Sequence, residues 1–293
     1  MKNGLIIVNG FWENESTRHQ VRSLTEAFSA RGVTMELKKG NELPVLLDGG
    51  NAVSRIGSPD FVIYLDKDIH TAELLEKTGI PLFNSAETVR LCDDKMLTYV
   101  ALSGHGIAIP KTISSPVMYR PVSDDFIQTV EREIEYPVVV KQVYGSMGKS
   151  VYPARTREEL TAIREKLKLL PHLYQRHVGA SHGLDIRVIV IGGKAVASMR
   201  RENPSDFRSN VELGGVGTKC ALTDAQRTLA ERAAAILGAD YCGVDLIPSD
   251  EGDYLCEVNS NAFFLGITRA TGVNVAGLYA DHVMKKLNGI GEK

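Results

Sequence analysis

Closely spaced cysteines are missing from this chain. Its four, Cys92, Cys220, Cys242 and Cys256, form no CxxC pair, which excludes a zinc knuckle and a small disulfide framework. They read as reduced, buried thiols. Long apolar runs are missing too: none approaches the ~20 residues of a membrane-spanning helix. The first such run, in "MKNGLIIVNGFWENES", turns polar at once and reads as a buried strand, not a signal peptide. A charge excess is absent, since 34 Lys and Arg face 36 Asp and Glu. That balance argues against a non-specific nucleic-acid binder and against an acidic tail. A cytoplasmic protein with no membrane partner and no direct nucleic-acid binding is expected. Two phosphate-loop fingerprints are also lacking. Gly4 and Gly10 do not form GxGxxG, and only Ser146 and Met147 separate Gly145 from Gly148 where a Walker A loop has four residues. No Ser-His-Asp or Cys-His arrangement stands out.

What is present is a globular chain of 293 residues, long for one core and sufficient for two or three linked domains. "GLIIVNG", "FVIYLD" and "IPLFN" read as strands, with helices at "STRHQVRSLTEAFSARG" and "IHTAELLEKTG" between them. This alternation predicts a parallel sheet covered by helices up to about residue 92. One helix, "ETVRLCDDKMLTYVALSGHG", is expected to bridge into the middle. There "YPVVVKQVYGSMGKSVYPA" reads as strand, glycine-bearing loop and strand. "GLDIRVIVIGGKAVASMRR" reads as two antiparallel strands around Gly192-Gly193. "TDAQRTLAERAAAILG" is a helix capped by Thr223 or Asp224. The segments "YCGVDLI" and "YLCEVNSN" form a hairpin, and a helix at "VNVAGLYADHVMKKL" closes the chain.

The hairpin carries the first chemical signal. A register centred on its turn places Asp245 opposite Glu257, and strand alternation sends Asn259 to the face of Glu257. Two carboxylates and an amide oxygen suit a hard cation such as Mg2+; the competing reading is a salt-bridged surface hairpin. The second signal is Lys141 at the end of an apolar strand, followed by a loop whose amides from Gly145 to Gly148 suit phosphate oxygens. By itself that loop is equally an ordinary hairpin turn. The third is basic: Asp185 and Arg187 share a strand face, and Arg200, Arg201, Arg208 and Asn210 follow. Guanidinium groups so placed can offset transferring phosphate and hold a carboxylate, although loop arginines are commonly plain surface charge.

From "NSAETVRLCDDK" onward the chain resembles the ATP-grasp superfamily, and more narrowly the RimK-type alpha-L-glutamate ligases that modify ribosomal protein S6. The stretches that carry this are "DDK", "PVVVK" with "GSMGKSV", "DIRVIVIGGKAVASMRR", "DFRSN", "GVDLI", "CEVNSN" and "TGVNVAG", in order. The resemblance implies an ATP-grasp fold, α/β and α+β. An N-terminal parallel α/β domain would span 1–92, a central subdomain 93–178 and a C-terminal subdomain 179–293. It implies ATP as cofactor with Mg2+, Mn2+ being a substitute. Lys95, Lys141, Gly145, Ser146 and Gly148 then match phosphate-binding positions, and Gln175, Arg176, His177 and Val178 the adenine strand. Asp185 and Arg187 belong to the same nucleotide site. Asp245, Glu257 and Asn259 match metal ligands, and Arg201, Arg208 and Asn210 the catalytic positions near the transferring phosphate. The implied reaction is amide formation through an acylphosphate. The implied partners are an amino-acid donor and an amine or carboxylate acceptor, including a peptide or protein tail, and the implied assembly is a homo-oligomer.

The chain departs from that pattern at Arg176, at Glu212-Leu213 and at "NAFFLG", where Phe263 and Phe264 are expected to make the substrate wall bulkier. These departures keep two alternatives open: a D-alanine–D-alanine-like dipeptide ligase, and an ATP-binding regulatory module without substrate chemistry. Phe11 and Trp12 are expected to pack locally, His105 to be on the surface, and Met96 and Met199 to pack in the interior. Asp66 and Asp68 suit either substrate binding or helix capping. His182 is not assigned as a base.

Overall fold

The computed structural model describes residues 2–11, 14–43, 45–119, 126–145, 148–179, 183–210 and 214–290. Ser146, Trp12, His182 and the Glu212-Leu213 pair lie outside the described residues. The first part of the chain contains β1 (Asn3–Val8), α1 (Glu15–Ser29), β2 (Thr34–Lys39), β3 (Val45–Asp48), β4 (Asn51–Ser54), β5 (Phe61–Leu65), α2 (Ile69–Lys77) and β6 (Leu82–Phe83). Strands order as β2-β1-β5-β6, all parallel, as the alternation of strands and helices predicts. β1 and β5 are apolar on both faces because helices cover both. α1 begins at Asn14, whose side chain accepts a hydrogen bond from the Thr17 amide at 2.8 Å. It buries Leu24, Ala27 and Phe28 against the sheet. β2 and the β3–β4 hairpin have no counterpart in the sequence reading. β2 is a polar, largely exposed edge strand and so lacks an apolar signature.

The bridging helix is two helices, α3 (Ala86–Asp93) and α4 (Lys95–Leu102). Asp94 leaves the helical region at φ −94° and ψ 107° and caps α4 by accepting from the Leu97 amide. The apolar periodicity continues across the break, which hides it. The interruption turns Lys95 inward, where it is buried.

The middle part holds β7 (Thr112–Ser114), α5 (Phe126–Glu133), β8 (Val138–Gln142), β9 (Val151–Ala154), α6 (Arg157–Leu167) and β10 (His172–Arg176), in a sheet ordered β7-β10-β8-β9. The last part holds β11 (Leu184–Ile191), β12 (Lys194–Glu202), β13 (Val216–Lys219), α7 (Asp224–Ile236), β14 (Tyr241–Ile247), β15 (Tyr254–Asn259), α8 (Leu265–Thr271) and α9 (Val275–Ile290). Its antiparallel sheet runs β13-β12-β11-β14-β15, and β11 and β12 turn at Gly192 and Gly193. Thr223 caps α7, with Gln226 completing a capping box.

α7 covers one face of this sheet with Ala230, Ala233 and Ala234. On the other face, Tyr241, Phe264 and Tyr279 share one core with Phe28, Phe61 and Phe83 of the first sheet. Asn84 fastens the two sheets together. Its Nδ2 donates to the carbonyls of Tyr241 at 2.7 Å and Ser260 at 2.8 Å, and its Oδ1 accepts from the amides of Asp240 and Tyr241. Among the described residues no helix is long and apolar enough to cross a membrane.

Candidate active site

β14 and β15 pair with Asp245 directly opposite Glu257, as the hairpin register predicts. The register then shifts, so that Leu246 faces Leu255 and Cys256 is the extra residue of a bulge. A bulge re-aims side chains. Leu255 is fully buried in the core, whereas the consecutive Cys256 and Glu257 both line the same cavity. Strict alternation forbids that, so Cys256 has no place in the site as read from strand period alone. The Cys256 Sγ lies 3.7 Å from the Lys141 Nζ.

Asp245 is 3% exposed and holds two guanidinium groups. Arg187 donates from Nε at 2.6 Å and Nη2 at 2.5 Å, and the Arg201 Nη2 lies at 3.0 Å. Arg201 also donates from Nε to Asp185 at 2.7 Å. β11 and β12 bring these groups together because Asp185 pairs with Arg201 and Arg187 sits beside Asp245. Burial opposes charge on Asp245, but the two arginines outweigh it and hold its carboxyl below the usual carboxylate range. Glu257 behaves likewise: burial raises its pKa, but the Lys95 ammonium 3.2 Å away, together with Lys67 and Arg187, outweighs that, and the net shift is downward. For Lys141, burial disfavours the ammonium. Cys256, Tyr99 and Glu257 around it outweigh that and move its pKa above the ordinary lysine value.

The loop after β8 is tied at both ends. Lys95 donates to the Gly145 carbonyl at 2.8 Å, and Arg208 donates from Nη1 to the Gly148 carbonyl at 2.8 Å. Arg208 also pairs with Asp206 at 2.7 Å. The segment that carries Arg208 and Asn210 is fixed by two glycines. A Cβ on Gly183, whose φ is +65°, would stand 2.1 Å from the Asn203 carbonyl oxygen, and a Cβ on Gly215 would stand 2.1 Å from that of Ser209. Only glycine allows so close a backbone approach.

These elements enclose a cavity of about 120 Å³ between the middle and last sheets. Lys95, Lys141, Gly145, Gly148, Gln175, Arg176, His177, Val178, Asp185, Arg201, Arg208, Asn210, Asp245 and Glu257 line it. Arg187 and Asn259 line a second cavity of about 360 Å³ instead, which shares Arg201, Asn210 and Glu257 with the first. Arg176 also donates to the Tyr254 hydroxyl at 2.7 Å and pairs with Glu251. The second cavity reaches the first sheet through Asn9, Gln20, Asp66 and Lys67, residues that the resemblance does not cover. Their signal was position: Asn9 and Asp66 follow the C-terminal ends of parallel strands, where ligands of open α/β sheets bind.

Several expectations require correction. Phe11 is 88% exposed, which does not fit the expected local packing against the described residues. Phe264 is not part of the wall but fully buried in the core, where its ring packs edge-on to Tyr241; Phe263 alone of the two lines the cavity. Cys220 and Cys256 are only partly buried, unlike Cys92 and Cys242. Asp68 caps α2, accepting from the His70 and Thr71 amides, whereas Asp66 faces the second cavity. Met199 is buried and His105 is exposed.

The donor set fits a hard divalent cation. Asp245 and Glu257 offer carboxylates across one rung, and the buried Asn259 Nδ2 has no hydrogen-bond partner, so its amide is not committed to the protein. Among the described residues no group of three or more His, Cys, Asp and Glu comes together. A cation here would take its remaining ligands from phosphate oxygens and water.

A clamp of two α+β sheets over a basic and acidic cleft, beside a parallel α/β domain, is the architecture of an ATP-grasp protein. Residues 92–283 match the RimK-like ATP-grasp domain, and the chain belongs to that family of ligases. N-acetylaspartylglutamate synthase A of Homo sapiens is 34% identical over 286 residues, covering 91% of this chain and 72% of that protein. Beta-citrylglutamate synthase B of Danio rerio is 36% identical over 241 residues, covering 80% of this chain and 58% of that one. The crystal structure of a RimK domain ATP-grasp protein from Sphaerobacter thermophilus superposes with a TM-score of 0.73 at 23% identity, over 96% of this chain and 99% of its own.

Proposed function

We propose that the chain is an ATP- and Mg2+-dependent carboxylate–amine ligase. It joins an amino acid, with glutamate the first candidate, to a carboxylate-bearing small molecule, peptide or protein tail. The observation that carries this reading is the cleft itself. Lys95, Lys141, Arg201 and Arg208 converge there with a carboxylate pair held ionised at pH 7. The names of the two relatives, both synthases of glutamate-containing products, support glutamate.

Phosphoryl transfer asks for positioning and positive charge more than for a general base. Lys141, Lys95, Arg201 and Arg208 offset charge on the phosphate oxygens while the acceptor carboxylate attacks the γ-phosphate and ADP leaves. The resulting acylphosphate is attacked by the amine, which forms the amide and expels phosphate. Mg2+, held by Asp245, Glu257 and Asn259, supplies further charge neutralisation at the phosphates when bound. The loop after β8, held by Lys95 and Arg208, shields the acylphosphate from water. Gln175, Arg176, His177 and Val178 border the part of the cleft assigned to the base.

The test is ADP release from the full chain with ATP, Mg2+, L-glutamate and a panel of carboxylate acceptors, with mass detection of the product. Glu257→Gln should lower turnover at least 100-fold with the fold retained, because among the described residues the partly exposed Glu257 has a single ion pair, with Lys95. Unchanged turnover in that variant overturns the assignment. The product mass separates amide formation with a carboxylate acceptor from dipeptide formation.

A further inference from the structure

The larger cavity carries a charge pattern that the phosphate chemistry does not use. Asp66, at the end of β5, is 8% exposed and faces it. Its carboxylate accepts from the Asn9 Nδ2 at 3.1 Å and from the Lys67 amide at 2.7 Å. Among the described residues no cation pairs with it, since the neighbouring Lys67 ammonium is held by Asp93 instead. A buried carboxylate with only neutral donors is costly unless a cation arrives. On the same cavity lies Arg187, whose Nε and Nη2 are occupied by Asp245, leaving Nη1 to donate to a ligand. Asn261 fixes the wall: its Nδ2 donates to the Leu65 carbonyl at 2.6 Å and its Oδ1 accepts from Gln20 at 3.2 Å. Phe263 adds an apolar side.

A cavity of about 360 Å³ with an unpaired anion and a guanidinium on its walls is suited to a zwitterion. We propose that Asp66 anchors the ammonium group, and Arg187 the carboxylate, of the amino-acid substrate. This assignment rests on the ligase reading, and it places the amine substrate in a chamber shared by the first and last sheets. The ammonium passes one proton to the Asp66 carboxylate, and the freed amine then meets the acylphosphate at the common border of the two cavities, at Arg201, Asn210 and Glu257, expelling phosphate.

Calorimetry on the full chain tests the proposal. Each of the twenty standard amino acids is titrated singly, with and without a non-hydrolysable ATP analogue and Mg2+. Any that binds is then compared with its deaminated counterpart, such as glutarate for L-glutamate. At least one amino acid should bind, and removal of its amine should weaken it tenfold or more. Asp66→Asn should weaken the same amino acid to a similar degree while the ATP analogue binds within twofold of wild type. The proposal is overturned if no amino acid binds under either condition. It is also overturned if the deaminated counterpart binds equally well, or if a folded Asp66→Asn variant binds the amino acid as wild type does. The comparison of ligands on the wild-type chain stands even where that variant does not fold. Amino-acid binding without any binding of the ATP analogue would sink the ligase reading and overturn the assignment of a substrate site with it, whereas ATP-analogue binding without any amino-acid binding overturns this assignment alone.

Discussion

Asp245 and Glu257 face each other across one rung yet have different structural duties. Asp245 is the shared partner of the buried Arg201 and the half-buried Arg187, whereas Glu257 pairs with one lysine and keeps some solvent contact. Removing one member of a buried ion pair costs about 3–5 kcal/mol, largely because its partner is left charged and alone. Asp245→Asn should therefore lower the urea midpoint by an amount equivalent to about 3 kcal/mol or more. Glu257→Gln should shift it less, by about 1 kcal/mol, because the Lys95 ammonium keeps the Gly145 carbonyl at 2.8 Å and gains the Gln amide oxygen. Equal shifts in the two variants would contradict this division of labour. It follows that loss of activity in Glu257→Gln reports on chemistry, whereas in Asp245 variants it mixes chemistry with unfolding.

At the scale of elements, the site depends on a backbone crossing. The Gly215 amide donates to the Asn210 carbonyl at 3.1 Å, and Gly215 lies against the backbone of Ser209. Gly215→Ala forces the Ser209 carbonyl to move by more than an ångström, and Asn210 with it. Turnover should fall at least tenfold while the melting temperature drops by only a few degrees, as seen by steady-state assay and thermal melts. Full activity would show that Asn210 has no positional role. The parts of the site on regular strands were legible in the sequence: the Asp245–Glu257 register, Lys141 at the end of β8, and Asp185 with Arg187 on β11 follow from period and turn placement alone. What was not legible lies where local pattern is silent. The bulge that turns Cys256 into the cleft costs one residue of register and leaves no mark in composition. The break at Asp94 sits inside uninterrupted apolar periodicity, and β2 is an edge strand whose exposed side chains resemble a loop. Asn9 and Asp66 share a cavity with residues of the last sheet only because the chain brings distant segments together, as the bonds of Asn261 to Leu65 and Gln20 show.

Across the whole molecule, Asp240 anchors the C-terminal helix to the last sheet. It is 4% exposed and accepts from the His282 Nε2 at 2.7 Å and from the Lys286 Nζ at 2.7 and 2.9 Å. Burial opposes its charge, but His282 and Lys286 outweigh that and lower its pKa. A carboxyl with a lowered folded-state pKa contributes stability that is complete above its unfolded value, about 3.9, and is lost as pH falls through the folded value. Asp240→Asn should thus melt below wild type at pH 7, and the gap should narrow as pH is taken below about 4 in a series of thermal melts. A constant gap would mean that the pair contributes shape but no charge.

The Asn84 side chain has a mechanical consequence. With four hydrogen bonds to the ends of β14 and β15, it works as a dowel between the first and last sheets, which also share their oily interior. Sliding one past the other would shear all four bonds at once. The middle sheet, by contrast, has a core of its own built from Ile127, Val138, Leu160 and Tyr174 and their neighbours, with Leu173 of β10 reaching into the core of the last sheet. Any opening of the cleft is therefore expected to fall on that one jaw, with the first and last sheets moving together as its anvil.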